Sequence, residues 1–245
     1  MKDELYTIPL TDAFKAPEEC PFCYIQRNLE QSAIEFILGE SYMESDIREQ
    51  TDNIGFCRPH LKKMYEYGNH LGNAWILSTY LKRVNQELKT VMAKDIPAKP
   101  SFFPKRKKNS ITDWIRREES SCYFCNHVAA AYERYLDTFF YLLKREKDFL
   151  LLVEASKGFC LPHFGDIMEG CETKLSPKER EVFLPVFLKL MEENMGRVEA
   201  DINWFIEKYD YRNKDADWKN SKDAVPRTMQ KIAGGYPGDV PFKSK

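Results

Sequence analysis

Cysteine and histidine residues in four short pairs are the part of this sequence that could do chemistry. Two pairs have the pattern Cys-x-x-Cys, in CPFC and CYFC, and two have the pattern Cys-x-x-His, in GFCRPH and GFCLPH. Thiolates and imidazoles bind zinc, and four such ligands complete a tetrahedral structural site. The pairs therefore predict two zinc sites, each with three cysteines and one histidine. The predicted ligands are Cys20, Cys23, Cys57, His60, Cys122, Cys125, Cys160 and His163.

The four pairs recur in the same order, which indicates an internal duplication. Residues 24–56 separate the first two pairs and residues 126–159 separate the last two, so the second spacing is one residue longer. Gly-Phe precedes the cysteine of both Cys-x-x-His pairs, and proline precedes both histidines. Agreement at this many positions predicts two tandem copies of one structural unit.

Each pair is expected to lie at the start of a helix, where residues three apart face the same side. Free backbone N–H groups at a helix N-terminus also favour thiolates. We expect one metal site per repeat, which joins Cys20 and Cys23 to Cys57 and His60 and joins the corresponding four residues of the second repeat. Such a site would link two helices about 35 residues apart, and metal binding would contribute to folding.

Other interpretations of the cysteines stay open from the sequence. They could be buried core residues. A Cys-x-x-Cys pair could also act as a thioredoxin-type dithiol, although that fold needs strands and no strand pattern is found. Three cysteines and one histidine can hold an iron–sulfur cluster, which is the alternative to two zinc ions. Cys171 has no counterpart in the first repeat, and we expect a small buried residue or a free thiol there.

The elements that must position these pairs are helices, because apolar residues recur at spacings of three and four. One helix is expected to follow CPFC, and the next to run from near Arg58 to Leu88. Ser176 and Glu179 predict the capped start of a long helix that reaches about Asp210. The predicted fold is all-α, with two tandem helical-bundle repeats, each clamped by a Cys3His metal site, and an irregular C-terminal tail.

The predicted organisation has four segments. Residues 1–94 form the first Cys/His helical repeat, 95–111 a basic linker with prolines, 112–212 the second repeat and 213–245 the C-terminal tail. Basic residues with interleaved aromatic residues can bind nucleic acid. For this linker we favour a solvated loop over a nucleic-acid site. The candidate partner-binding residues are Lys105, Arg106, Lys107 and Lys108.

The composition is that of a soluble globular protein, with 43% hydrophobic and 31% charged residues. A net charge of −1 excludes polyanion binding by bulk electrostatics. No apolar stretch reaches about 18 residues and the N-terminus has no apolar signal region, so we expect no membrane helix and no signal peptide. We expect a cytoplasmic protein with no membrane partner, where reducing conditions favour metal ligands over disulfides.

The two CxxC and two CxxH pairs, with the stretches WFIEKYDYRN and WKNSKDAVPR after them, resemble an uncharacterised bacterial family classed as a domain of unknown function. The resemblance spans nearly the whole chain. It implies a bacterial protein of this type and brings no activity, ligand or catalytic residue.

Function is predicted from the ligand count. Four protein ligands leave a zinc ion no open position for a substrate, and the sequence contains no catalytic triad order, phosphate loop or dinucleotide fingerprint. The sequence therefore favours structural zinc in an interaction or binding module, with a protein or a small ligand as partner, over an enzyme. Two alternatives stay open: a thiol-based redox or metal-sensing protein, and an enzyme or small-ligand binder that uses the cleft between the repeats, with unknown catalytic residues.

Overall fold

The computed structural model describes residues 4–95 and 110–243, and every regular element within these ranges is helical. The prediction of an all-α fold is confirmed. No helix in these ranges is long and apolar enough to cross a membrane. The α-helices are α1 (Glu4–Lys15), α2 (Pro21–Gly39), α3 (Ser45–Ile54), α4 (Arg58–Tyr67), α5 (His70–Asp95), α6 (Ser110–Glu119), α7 (Tyr123–Arg145), α8 (Lys147–Ala155), α9 (Leu161–Lys174), α10 (Pro177–Glu207) and α11 (Ala224–Ala233), with 3-10 turns at Ser41–Met43 and Tyr211–Asn213.

Two compact units divide the chain, and neither is one continuous segment. The first unit contains Met1–Asn28 and Ala131–Val240, and the second contains Leu29–Ala130 and Pro241–Lys245. Helix α2 begins in the first unit and ends in the second, whereas α7 begins in the second and ends in the first. Each unit therefore draws on both sequence repeats, unlike the consecutive segments 1–94 and 112–212.

Phenylalanine side chains fill the core of the first unit. Phe22 in α2, Phe139 in α7 and Phe159 just before α9 are buried. The rings of Phe22 and Phe159 stack with their centroids 5.8 Å apart, and Phe139 meets both rings edge-on. Burying one such side chain contributes about 1.5–3 kcal/mol. This cluster therefore holds the start of α2 against the start of α9.

The core of the second unit contains the corresponding ring pair. Phe56 before α4 and Phe124 in α7 lie with centroids 5.7 Å apart, among buried aliphatic residues such as Ile34 and Met64. Phe124 follows Phe22 by 102 positions and Phe159 follows Phe56 by 103, the offsets of the repeat. Each ring pair thus joins a residue of one sequence repeat to a residue of the other.

Helix boundaries test the local predictions. The helix predicted from Arg58 to Leu88 is two helices, because Gly68 ends α4 with a left-handed φ of 94° and α5 starts at His70. The predicted start of α10 is confirmed. Ser176 accepts a hydrogen bond from the Glu179 backbone N–H, and the Glu179 side chain accepts one from the Ser176 backbone.

From residue 214 to residue 243, the C-terminal tail is irregular outside α11, in agreement with the prediction. Helix α11 covers ten residues and buries Arg227, Gln230 and Lys231. The polar side chains of this helix find partners inside the first unit. Lys231 donates hydrogen bonds to the backbone carbonyls of Glu19 and Lys157.

Candidate metal centres

The first cysteine of every pair lies at the N-cap of a helix. Cys20, Cys57, Cys122 and Cys160 immediately precede α2, α4, α7 and α9, and each backbone carbonyl accepts the N–H of the residue four positions later. The second residue of each pair is then the third residue of the helix. This spacing turns both side chains to one side, where the helix N-terminus offers partial positive charge to thiolates.

The two Cys-x-x-His turns have the same backbone conformation. Cys57 has φ −76° and ψ 159°, and Cys160 has φ −76° and ψ 162°. Gly55 and Gly158, two residues earlier, have φ of 78° and 73°. Other residues rarely adopt such positive φ values, so glycine is needed to aim each cysteine at its site.

Site A, in the first unit, contains Cys20, Cys23, Cys160 and His163, and all four are buried. The Nδ1 atom of His163 lies 3.3 Å from the Cys20 sulfur, 3.5 Å from Cys23 and 3.0 Å from Cys160. The sulfurs of Cys23 and Cys160 are 3.6 Å apart. Three sulfurs and one ring nitrogen therefore converge on one point.

Site B, in the second unit, contains Cys57, His60, Cys122 and Cys125. The Nδ1 atom of His60 lies 3.1 Å from the Cys57 sulfur, 3.3 Å from Cys122 and 3.4 Å from Cys125. The sulfurs of Cys57 and Cys125 are 3.8 Å apart. Cys122 and His60 are buried, whereas Cys57 is partly buried and Cys125 is exposed.

These spacings fit a single tetrahedral ion. With zinc–sulfur distances of about 2.3 Å and zinc–nitrogen distances of about 2.0 Å, ligand sulfurs lie about 3.8 Å apart and sulfur and nitrogen about 3.5 Å apart. The ligand atoms of each group all lie within 4.8 Å of one another, and all seven cysteines are free thiols. Each group could therefore hold one metal ion.

The predicted pairing of the ligands within each repeat was wrong. Cys20 and Cys23 meet Cys160 and His163 of the other repeat, and the remaining four residues form the second group. The ring contacts of Phe22 with Phe159 and of Phe56 with Phe124 explain this exchange, because each phenylalanine lies within two positions of a cysteine at its site. Each candidate metal site therefore combines residues from both sequence repeats, and neither site lies within a single repeat.

Comparisons with known proteins place the chain in a protein family. The model of a family of unknown function (DUF6062) matches residues 1–239. The chain belongs to this family. It is also 22% identical over 199 residues to an "Uncharacterized 23.9 kDa protein in xynA 3'region" of Caldicellulosiruptor sp. (strain Rt8B.4), which covers 80% of this chain and 85% of that protein. No solved structure matches.

The electrostatics of this DUF6062 chain favour positive charge between the sulfurs. Burial alone would lower the pKa of His163, but its contacts with the three thiol groups of site A raise it to about 12. For His60, burial likewise lowers the pKa, and contacts with Cys122, Glu30 and Cys57 raise it to about 10. A metal ion at Nδ1 would meet the same attraction as this proton.

A carboxylate supports the histidine of site B. Glu30 in α2 places its Oε1 atom 2.7 Å from Nε2 of His60, at ion-pair distance, and Lys63 pairs with the same carboxylate. A carboxylate beside Nε2 favours a proton on that nitrogen and leaves the Nδ1 lone pair for a metal. Glu30 is therefore a positioning residue for site B.

Site A has a different group at the equivalent place. Tyr132 in α7, 102 positions after Glu30, has its ring 5.3 Å from that of His163 and donates a hydrogen bond of 2.7 Å to Asp166. Asp166 corresponds to Lys63 with an offset of 103. The two sites thus carry different pairs at matching positions of the sequence repeat, Glu30 with Lys63 at site B and Tyr132 with Asp166 at site A.

Sequence reasoning identified the eight ligand candidates and missed the groups around them. Glu30 and Tyr132 could have been found, because each lies two helical turns after the second cysteine of its pair. Lys231 had no such signal, since the tail has no repeat partner. Cys171 is buried in α9, in agreement with the expectation of a small buried residue. The basic run Lys105, Arg106, Lys107 and Lys108 lies outside the described residues.

Proposed function

We propose that this protein binds two zinc ions, one at site A and one at site B, and that both stabilise the fold. The observation that carries the proposal is the convergence of three sulfurs and one Nδ1 atom, at tetrahedral spacing, twice in one chain. Each ion would hold two helix N-termini that are far apart in sequence. Structural zinc contributes about 10–16 kcal/mol of binding free energy in small zinc-finger peptides, so loss of the ion should destabilise the whole unit that contains the site.

Zinc is favoured over an iron–sulfur cluster by the distances between ligands. A cluster places different iron atoms behind its ligands, which spreads the ligand sulfurs farther apart than around one ion. The ligand atoms of each group lie within 4.8 Å of one another, which supports a single ion. Thiolate-rich tetrahedral sites are typical of zinc.

The four ligands at each site support a structural rather than a catalytic role for the metal. Catalytic zinc keeps a position for water or substrate, whereas four protein ligands occupy the whole tetrahedron. We therefore propose an interaction or binding module whose partner, a protein or a small ligand, binds away from the metals. The free thiols suit a reducing compartment, and we propose the cytoplasm.

Elemental analysis and native mass spectrometry of the purified chain test the metal proposal. We expect two zinc ions per chain, and we expect chelation to lower the melting temperature and the helical circular dichroism signal. The double variants C20S/C23S and C122S/C125S should each retain one ion, whereas C171S, which changes a buried cysteine outside the sites, should retain two. A folded chain without metal, or one holding iron and inorganic sulfide, would contradict the proposal.

A thiol-based redox or metal-sensing role is the second candidate, and the exposure of Cys125 favours it. All four residues of site A are buried, whereas Cys125 of site B is exposed and can be reached by an oxidant. The response of the two sites to an oxidant distinguishes this candidate from a purely structural one.

A further inference from the structure

We propose that site B is an oxidation-sensitive site at which hydrogen peroxide joins Cys57 to Cys125 and the bound ion is lost, while site A keeps its ion. This inference rests on the proposed zinc binding and assigns different roles to the two sites. Site A would be a structural metal site that keeps its ion under oxidising conditions. Site B would be a redox-sensitive site that loses its ion when the surroundings become oxidising.

The two sites contain a matched pair of sulfurs. Cys57 and Cys125 at site B are 3.8 Å apart, and the equivalent Cys160 and Cys23 at site A are 3.6 Å apart. Both pairs combine the cysteine of a CxxH turn with the second cysteine of a CxxC turn. Geometry within the ligand set therefore does not distinguish the sites, and any difference in reactivity must come from what surrounds them.

The C-terminal tail covers the pair at site A. Gly235 donates its backbone N–H to the Cys23 sulfur at 3.3 Å. A Cβ atom on Gly234 would lie 3.6 Å from the Cys160 sulfur and 4.0 Å from that of Cys23, so the backbone packs directly on both. Burial excludes an oxidant, and an N–H donor withdraws electron density from a thiolate.

Lys231 holds this cover in place. Its side chain is 1% exposed, and its ammonium group donates to the carbonyls of Glu19 at 2.7 Å and Lys157 at 2.5 Å. These residues lie in the two loops that lead into Cys20 and Cys160. Helix α11 is therefore fastened to both ligand loops of site A, and movement of the tail away from the sulfurs would break these bonds.

Site B presents its pair to solvent. Cys125 is exposed and Cys57 is partly buried, whereas Cys122 is buried. Access decides which of these cysteines meets the oxidant first, because every cysteine that binds zinc does so as a thiolate. Cys125 has access, and Cys57 is its nearest partner for a disulfide outside the buried interior.

The chemistry balances with peroxide as the two-electron oxidant. The Cys125 thiolate attacks one oxygen, the O–O bond breaks, and sulfenic acid and hydroxide form. The Cys57 thiolate then attacks the Cys125 sulfur, the S–O bond breaks, and a disulfide and a second hydroxide form. The two hydroxides take protons from solvent to become water. Because the disulfide needs a separation of about 2 Å and uses two ligands, site B can no longer hold its ion.

The test begins with the full-length chain, whose zinc content is measured before oxidant is added. Peroxide is then added in small excess, released zinc is followed with a chromogenic chelator, and disulfides are mapped by peptide mass spectrometry. We expect one equivalent of zinc to leave at least about tenfold faster than the other, because burial limits access. The fast phase should coincide with a Cys57–Cys125 disulfide and should reverse with dithiol and added zinc.

Variants connect each phase to its site. C125S should lose the fast phase, and C171S should keep both phases. K231M should accelerate the slow phase and leave the fast phase unchanged, because it loosens the cover of site A only. Parallel release of two ions, or a Cys23–Cys160 disulfide formed first, would overturn the division of roles while leaving two-zinc binding intact. A chain without zinc at the outset would overturn the proposed function, and this inference with it.

Discussion

Replacement of Lys231 by methionine should destabilise the first unit strongly. Methionine has a similar length and fills the volume, but it cannot donate to the carbonyls of Glu19 and Lys157. It also loses the longer contacts of the ammonium with the Phe159 carbonyl, at 3.4 Å, and with the Glu19 carboxylate, at 3.5 Å. A buried acceptor that loses its donor costs about 1–3 kcal/mol, so two such carbonyls cost about 2–6 kcal/mol. Burial also penalises the ammonium, as the lowered pKa of Lys231 indicates, and its removal offsets part of this loss. We expect a net loss of about 3 kcal/mol.

Urea denaturation of the zinc-loaded protein, followed by circular dichroism, measures this loss. The unfolding midpoint should fall, and the slope should stay near that of the unmodified chain if the denatured state is unchanged. Lys189→Met is the matched control, because Lys189 lies on α10 with its side chain 75% exposed. Its effect should stay within about 0.5 kcal/mol.

A K231M protein as stable as the K189M control would refute the reasoning about the carbonyls. It would show that water or a neighbouring cation replaces the ammonium at no cost. The neighbouring cations are Lys157, Arg197 and Arg227, which all lie near the carboxylate of Glu19. Because they contact the side chain and not the two carbonyls, we expect no such replacement.

Three further substitutions test other parts of the structure. Glu30→Gln should weaken zinc binding at site B about 10–100-fold, because the far nitrogen of the ligand histidine loses its carboxylate. Ser176→Ala should cost about 1 kcal/mol at the start of α10. Hydrogen bonds from Ser176 lower the pKa of Glu179 below 4.5, so its contribution is present above pH 4.5 and is lost as the pH falls through the lowered value. Gly55→Ala should destabilise the second unit by more than about 1 kcal/mol, because φ is positive and the new Cβ would lie 2.6 Å from the Tyr80 hydroxyl oxygen.

Each of these changes has its own measurement and control. Competition with a chelator reports zinc affinity, and Tyr132→Phe, which alters site A, should leave site B unchanged. Denaturation at pH 7 and pH 3.5 measures the contribution of the helix cap to stability. The loss of unfolding free energy caused by Ser176→Ala should be smaller at the lower pH. Gly158→Ala is the matched substitution in the first unit. Its new Cβ would lie 3.4 Å from the nearest atom, so this substitution should destabilise the protein less than Gly55→Ala does. Unchanged zinc affinity in Glu30→Gln would contradict the role of the carboxylate. The same stability loss in Ser176→Ala at both pH values would contradict the argument about the cap. A larger stability loss in Gly158→Ala than in Gly55→Ala would contradict the argument about the glycines.

Much of the candidate site could be predicted from local sequence, because each half-site is local. A cysteine at an N-cap and a second ligand three residues later face the same side of a helix whatever the rest of the chain does. This is why Cys57 and Cys160 have nearly identical backbone angles in different units. The same local rule predicted the cap at Ser176.

The sequence by itself determined the types and number of the candidate ligands, the helices that carry them and the repeated motifs. Only the tertiary structure decided which half-sites meet, because either CxxC pair is chemically able to close with either CxxH pair. The pairing is set by core packing, in which the ring of Phe22 contacts that of Phe159 and the ring of Phe56 contacts that of Phe124. It also decided the difference between the sites, since Lys231 reaches the loop before Cys20 from 212 positions away. Contacts at that separation leave no periodic or spacing signal in a sequence, and they arise when the helices pack.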